Sequence, residues 1–153
     1  PAETLAAVVA AHAALPPGAR PWLVANPASP ARAERLAGLL GALDLLICNR
    51  AEAEVLAGRR FPDAAEAAAG LRALGLAEAA VTDGPAPAAA ADAQGVIARF
   101  PLPAPAQPSL LMATGAGDAL FAAYLHARLR GEAPAEALED GLRAARARME
   151  TLE

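Results

Sequence analysis

Lysine is absent from this chain: all 13 basic residues are arginine. That excludes a P-loop lysine and a Schiff-base lysine, and it reads as the codon bias of a GC-rich genome. Cysteine is nearly absent too, with Cys48 alone, so neither an internal disulfide nor a cysteine metal cluster can form. Aromatic residues make up 3% of the chain, which leaves a core built from small side chains, alanine above all. Nothing resembles a signal peptide and no apolar run reaches membrane-spanning length, so the expected location is cytoplasmic. No basic cluster exceeds the pair Arg59-Arg60, and the net charge is −4. Nucleic acid and anionic membranes are therefore not expected partners.

What the chain does have is apolar content, 56% of 153 residues, enough for one packed domain spanning residues 1–153. It begins with Pro1 rather than Met, and the expectation is a fragment of a larger protein. Apolar spacing predicts a helix over 3–14, closed by Pro16-Pro17-Gly18, and a short buried strand over 21–26. A second helix is predicted over 30–41, with Ser29 as cap and Pro30 at the first helical position. A strand over 44–48, helices over 50–56 and 63–74, and a strand over 79–82 follow. Strands alternating with helices in this way predict βαβ units and a parallel sheet covered on both faces. Residues 84–108 break the rhythm with several prolines and predict a hairpin between segments 88–91 and 96–100. Helices over 116–130 and 134–150 complete the pattern. Trp22 is expected in the core, and His12 and His126, far apart and without a second ligand at metal spacing, are expected to be structural.

The chemistry concentrates in Thr114-Gly115-Ala116-Gly117-Asp118, a small-residue turn that opens an apolar helix. Gly115, Ala116 and Gly117 can bring backbone N–H groups close to an anion at a helix N-terminus, where the dipole also favours negative charge. Asp118, in the first turn, can act as base toward a hydroxyl lying beside that anion. Such a turn with an aspartate cap also occurs in α/β proteins that bind nothing there. Asn49 and Glu52 stand one helical turn apart, suited to holding a hydrated magnesium ion beside a phosphate. The same pair fits an ordinary capping box equally well. Asn26, Asn49, Thr82 to Gly84 and the glycine turn all fall where a parallel sheet presents its ligand-binding rim.

The Asn-x-x-Glu of 49–52, the Val-Thr-x-Gly of 81–84 and the Gly-Ala-Gly-Asp of 115–118 occur in the order and approximate spacing of the ribokinase-like (PfkB) sugar kinases. The chain resembles the C-terminal half of that family, a three-layer α/β sandwich with a mainly parallel sheet. WLVANPASPARAERL and CNRAEAEVLAG look most like pseudouridine kinases. The resemblance implies a kinase that uses ATP and Mg2+ to phosphorylate a hydroxyl of a sugar or nucleoside. It implies Asp118 as base, with Gly115, Ala116 and Gly117 stabilising the transferred phosphoryl. Asn49 and Glu52 would order the metal through water and the phosphates, and Thr82, Gly84 and Thr114 would contact the nucleotide. It is also compatible with a homodimer of the full-length protein. The sequence departs from the family pattern at Met112 and Asn26, where relatives often have Asp, at Asp83, usually apolar, and at Pro87, usually glycine. The family's N-terminal half, with most sugar contacts and the lid, has no counterpart here. A regulatory nucleotide-binding module without catalysis is the alternative. A Rossmann-type dinucleotide binder would need a glycine-rich turn straight after Val24, and none follows.

Overall fold

The structure is a computed structural model that describes residues 2–95, 97–100 and 115–150. Helix α1 (Ala2–Ala13) leads into strand β1 (Val24–Ala25), the short helix α2 (Pro30–Ala33), strand β2 (Leu45–Asn49) and helix α3 (Arg50–Ala57). Helix α4 (Ala64–Ala73) and strands β3 (Ala79–Asp83), β4 (Ala86–Ala91) and β5 (Ile97–Phe100) follow, then helices α5 (Ala116–Leu129) and α6 (Pro134–Glu150). The five strands form one sheet in chain order, β1-β2-β3-β4-β5. β1, β2 and β3 run parallel, and β4 and β5 are added antiparallel.

Strand parity sorts the core into two faces. Leu46, Cys48, Ala79, Val81, Ala89 and Ala91 pack on one face against Leu36, Leu40, Leu56, Phe61, Ala68 and Leu71. Leu45, Ile47, Ala80, Ala88 and Ala90 pack on the other against Leu120, Tyr124, Leu138 and Leu142 of α5 and α6. The central strands are buried on both sides, as the near-continuous apolar runs require. Small residues let these layers approach closely: a Cβ built on Gly141 of α6 would lie 3.0 Å from Cγ of Leu120 on α5.

Capping chemistry sets the helix starts that matter for the site. The Asn49 side chain accepts from the Glu52 N–H and the Glu52 carboxylate accepts from the Asn49 N–H, a complete capping box for α3. Asp63 accepts from the Glu66 N–H at the start of α4. Helix α5 opens from Gly115, whose φ of 84° lies in the left-handed region that glycine tolerates.

Four expectations are corrected. The helix over 30–41 stops at Ala33 and continues only as 3-10 turns at Glu34–Leu36 and Leu40–Ala42, because Ala37 turns extended (ψ 132°) and Gly38 takes φ 79°. Ser29 occupies the N-cap position of α2, but its side chain makes no cap bond. The strand over 21–26 shrinks to Val24–Ala25. Trp22 is 45% exposed rather than core, with the Arg128 guanidinium 5.7 Å above its ring. The hairpin of 88–91 with 96–100 is present as β4 and β5, and β4 additionally folds straight back on β3. Among the described residues no helix is long and apolar enough to cross a membrane.

Candidate active site

Parallel strands bring the ends of β1, β2 and β3 to one edge, and α5 begins at that same edge. A cleft of about 280 Å³ opens there, lined by Asn26 and Ala28 after β1, Asn49 and Glu52 after β2, Thr82 of β3, and Gly115, Gly117 and Asp118 of α5. Ile47, Cys48 and Leu120 give it an apolar lining. Of the residues anticipated from sequence, Asn49, Glu52, Thr82, Gly115, Gly117 and Asp118 converge here. Ala116 does not line the cleft; it packs against the α5–α6 side of the core. Gly84 does not line it either, standing exposed in the β3–β4 turn at φ 56°. Thr114 and Met112 lie outside the described residues.

The start of α5 presents backbone donors that take no acceptor among the described residues. Its first intrahelical bond runs from the Ala119 N–H to the Gly115 carbonyl at 3.0 Å, so the preceding N–H groups have no carbonyl within the helix. Asp118 stands exposed one turn in. Across the cleft Glu52 is only 3% exposed. Its Oε2 accepts the Asn49 N–H at 2.9 Å, while no donor among the described residues engages Oε1. Because the described residues contain no buried polar side-chain atom without a partner, that oxygen must face solvent space, and the space beside it is the cleft.

The capping box and a metal role are thus compatible, one carboxylate oxygen serving the helix and the other left over. No group of three or more His, Cys, Asp or Glu among the described residues could enclose a metal. The donor set suits magnesium that keeps most of its water and meets one carboxylate.

Three features in or beside the cleft had no forecast. Ala28 holds φ 60° although it is not glycine, and its N–H bonds Oδ1 of Asn26 at 3.0 Å, so a strained turn shapes the β1 end. Burial raises the Cys48 thiol well above its ordinary range, with the Glu52 charge adding to the effect, so Cys48 stays a neutral thiol in the lining. Arg50, directly after Asn49, donates from Nε to Oδ2 of Asp83 at 2.7 Å. That bond, then the Asp83 charge, raises the guanidinium pKa further.

Fold and site together define a three-layer α/β domain with a polar cleft at the carboxyl edge of its parallel strands. A family model described as pfkB family carbohydrate kinase matches residues 4–152. The chain belongs to that family. It is similar to a carbohydrate kinase from Agrobacterium tumefaciens, with 33% identity and a TM-score of 0.73 over 95% of this chain and 43% of that one. An Anopheles gambiae adenosine kinase, solved with P1,P4-di(adenosine-5) tetraphosphate, shares the fold at 23% identity and a TM-score of 0.75, covering 95% of this chain and 46% of that one. A pyrophosphate-dependent kinase of the ribokinase family, complexed with a pyrophosphate analog and myo-inositol, does so at 24% identity and a TM-score of 0.62, covering 76% and 40%. The chain therefore spans less than half the length of these structures. Among curated protein sequences none matches significantly.

Proposed function

We propose that this chain forms the donor-binding and base-bearing half of an ATP-dependent phosphotransferase acting on a hydroxyl of a sugar or nucleoside. Pseudouridine or a similar ribosyl compound is the proposed acceptor class, supported by the segments around Asn26 and Asn49. The observation that carries the reading is the convergence in one cleft of Asp118, the start of α5 with its N–H groups that have no carbonyl within the helix, and the carboxylate oxygen of Glu52 that takes no donor among the described residues.

Phosphoryl transfer needs positioning and charge stabilisation more than covalent chemistry. In this reading Asp118 takes the proton of the acceptor hydroxyl as the hydroxyl oxygen attacks the terminal phosphorus of ATP, and the bond from that phosphorus to the bridging oxygen breaks to release ADP. The N–H groups of Gly115, Ala116 and Gly117 stabilise charge on the transferred phosphoryl. Asn49 and Glu52 would hold magnesium through water, and magnesium supplies neutralisation of the phosphate charge. Thr82, the nucleotide-contact candidate that lines the cleft, would contact the nucleotide.

The test is a coupled assay on the full-length protein with a panel of nucleosides and sugars, offering ATP and pyrophosphate separately as donors. Turnover is expected with ATP and a ribosyl acceptor. Asp118→Asn keeps the shape but cannot take the proton, so kcat is expected to fall by about 10²–10⁴-fold with donor binding retained. Turnover of that variant matching the parent removes Asp118 from the role of base.

A further inference from the structure

Sheet pairing is incomplete at the point where Thr82 enters the cleft. Toward β2 its register is regular, Cys48↔Val81 and then Asn49↔Thr82. Toward β4 the pairs are Val81↔Ala89 and Asp83↔Ala86, so two residues of β4, Pro87 and Ala88, stand opposite the single Thr82. This is a bulge, and it sits where a proline in an interior strand has to sit, since Pro87 has no N–H for the ladder. Thr82 is left without a partner residue in the β3–β4 register.

A second set of bonds ties the same stretch of β3 to α3, on the side away from β4. Arg50, the first residue of α3, reaches over the strand ends to Asp83, Nε to Oδ2, at 2.7 Å. On its other side Nη1 donates to Oε1 of Glu54 at 3.0 Å and to the Phe61 carbonyl at 2.9 Å, while Glu54 also accepts the Phe61 N–H at 3.2 Å. A cation in the first turn opposes the helix dipole and would not settle there for the helix's sake. Its acceptors account for it. The guanidinium is fastened to α3 and to the loop behind it, and it holds the residue next to Thr82.

We infer that the Arg50–Asp83 pair is a positioning device: where the Pro87 bulge interrupts the β4 side of the register, it ties β3 to α3 beside Thr82 and, together with the Asn49↔Thr82 pairing, fixes Thr82 relative to Glu52 for binding the phosphoryl donor. The donor half of this statement rests on the kinase reading; the fixing of Thr82 does not.

Two measurements on the full-length protein test it. In Asp83→Asn, amide hydrogen exchange at Thr82, Asp83 and Gly84 is expected to accelerate about tenfold, with Leu46 and Ala80 unchanged, because a charge-assisted bond becomes a weaker neutral one. The KM for the donor is expected to rise by a similar factor with kcat held within about twofold. The exchanged pair, Arg50→Asp with Asp83→Arg, is expected to recover both. Unchanged exchange at Thr82 overturns the positioning role whether or not the protein proves to be a kinase. In an active enzyme, an unaltered donor KM, or an impairment shared equally by kcat and the acceptor KM and not rescued by the exchanged pair, overturns the link to donor binding. A parent protein that binds and turns over no donor refutes the kinase reading instead.

Discussion

Gly115 and Gly117 are separated by one residue and should respond to the same substitution in opposite ways. Gly115 has φ 84°, and a Cβ there would come within 3.4 Å of Nε of Arg148. Alanine at 115 is strained by about 1–2 kcal/mol in that backbone region, while its methyl group meets the guanidinium only at ordinary contact distance. Gly117 lies inside the first turn of α5, and apart from its own helix no atom of the described residues comes within 4 Å of a Cβ built on it. Alanine there is expected to stabilise the fold by about 0.5–1 kcal/mol, since glycine is the costlier helical residue. Yet Gly117 lines the cleft, and a methyl group is expected to crowd an anion approaching the N–H groups. Urea melts should therefore separate the variants, Gly115→Ala falling and Gly117→Ala rising, while the donor KM worsens in both. A Gly117→Ala enzyme with parental kinetics would show that no anion comes near this turn.

At the scale of elements, α5 is placed by its far end. Glu78, just before β3 and 6% exposed, receives Tyr124 Oη at 2.7 Å and Arg128 through Nη2 at 2.7 Å and Nε at 2.8 Å. Those bonds hold the second half of α5 at the opposite edge of the sheet from the cleft, so its N-terminus is aimed by an anchor two to three turns away. Removing the carboxylate strands a partly buried guanidinium. Arg128 retains some solvent contact and its bond to the Glu132 carbonyl, so the cost of Glu78→Ala is expected at roughly 2–3 kcal/mol, below that of a fully buried pair. Tyr124→Phe should cost about 1 kcal/mol, and equal destabilisation in the two variants would contradict the division of roles. None of this was legible in the sequence, because the partners are 46 and 50 residues apart. What is legible there is periodic or local: the α3 capping box, the β2 and β3 strands, the long helices α5 and α6, and the glycine turn that starts α5. The segment after Pro30 misleads because its apolar spacing is helical, while Gly38 and the extended Ala37 break the ladder. Trp22 misleads because hydrophobicity alone does not reveal an arginine from a distant helix above its ring.

The whole molecule combines two cores around one sheet with a composition that leaves its alkaline behaviour to two side chains. There is no lysine, one cysteine and one tyrosine, so between neutral pH and the arginine range only Cys48 and Tyr124 titrate among the side chains of this chain. Cys48 packs in the core on the α3–α4 side and Tyr124 in the core on the α5–α6 side. Burial is the first cause that raises each pKa, followed by the charge of Glu52 for the thiol and of Glu78 for the phenol. A raised pKa means that the folded state keeps its proton after the unfolded chain has released it. The stabilisation is therefore complete below the unfolded values, near 9 for the thiol and 10 for the phenol, and is lost as pH rises beyond them. Each group contributes a slope of up to about 1.4 kcal/mol per pH unit. Urea unfolding of this chain should give constant stability from about pH 7 to 8.5, a first decline above about pH 9, and a steeper one above about pH 10. Cys48→Ala is expected to lower stability at neutral pH by emptying part of the core, but to delay the decline until the phenol titrates. If the parent instead shows no decline before the variant does, so that both begin to fall only near pH 10, the thiol is ionising in the folded protein, and the Cys48 lining of the cleft is wetter and more open than this packing allows.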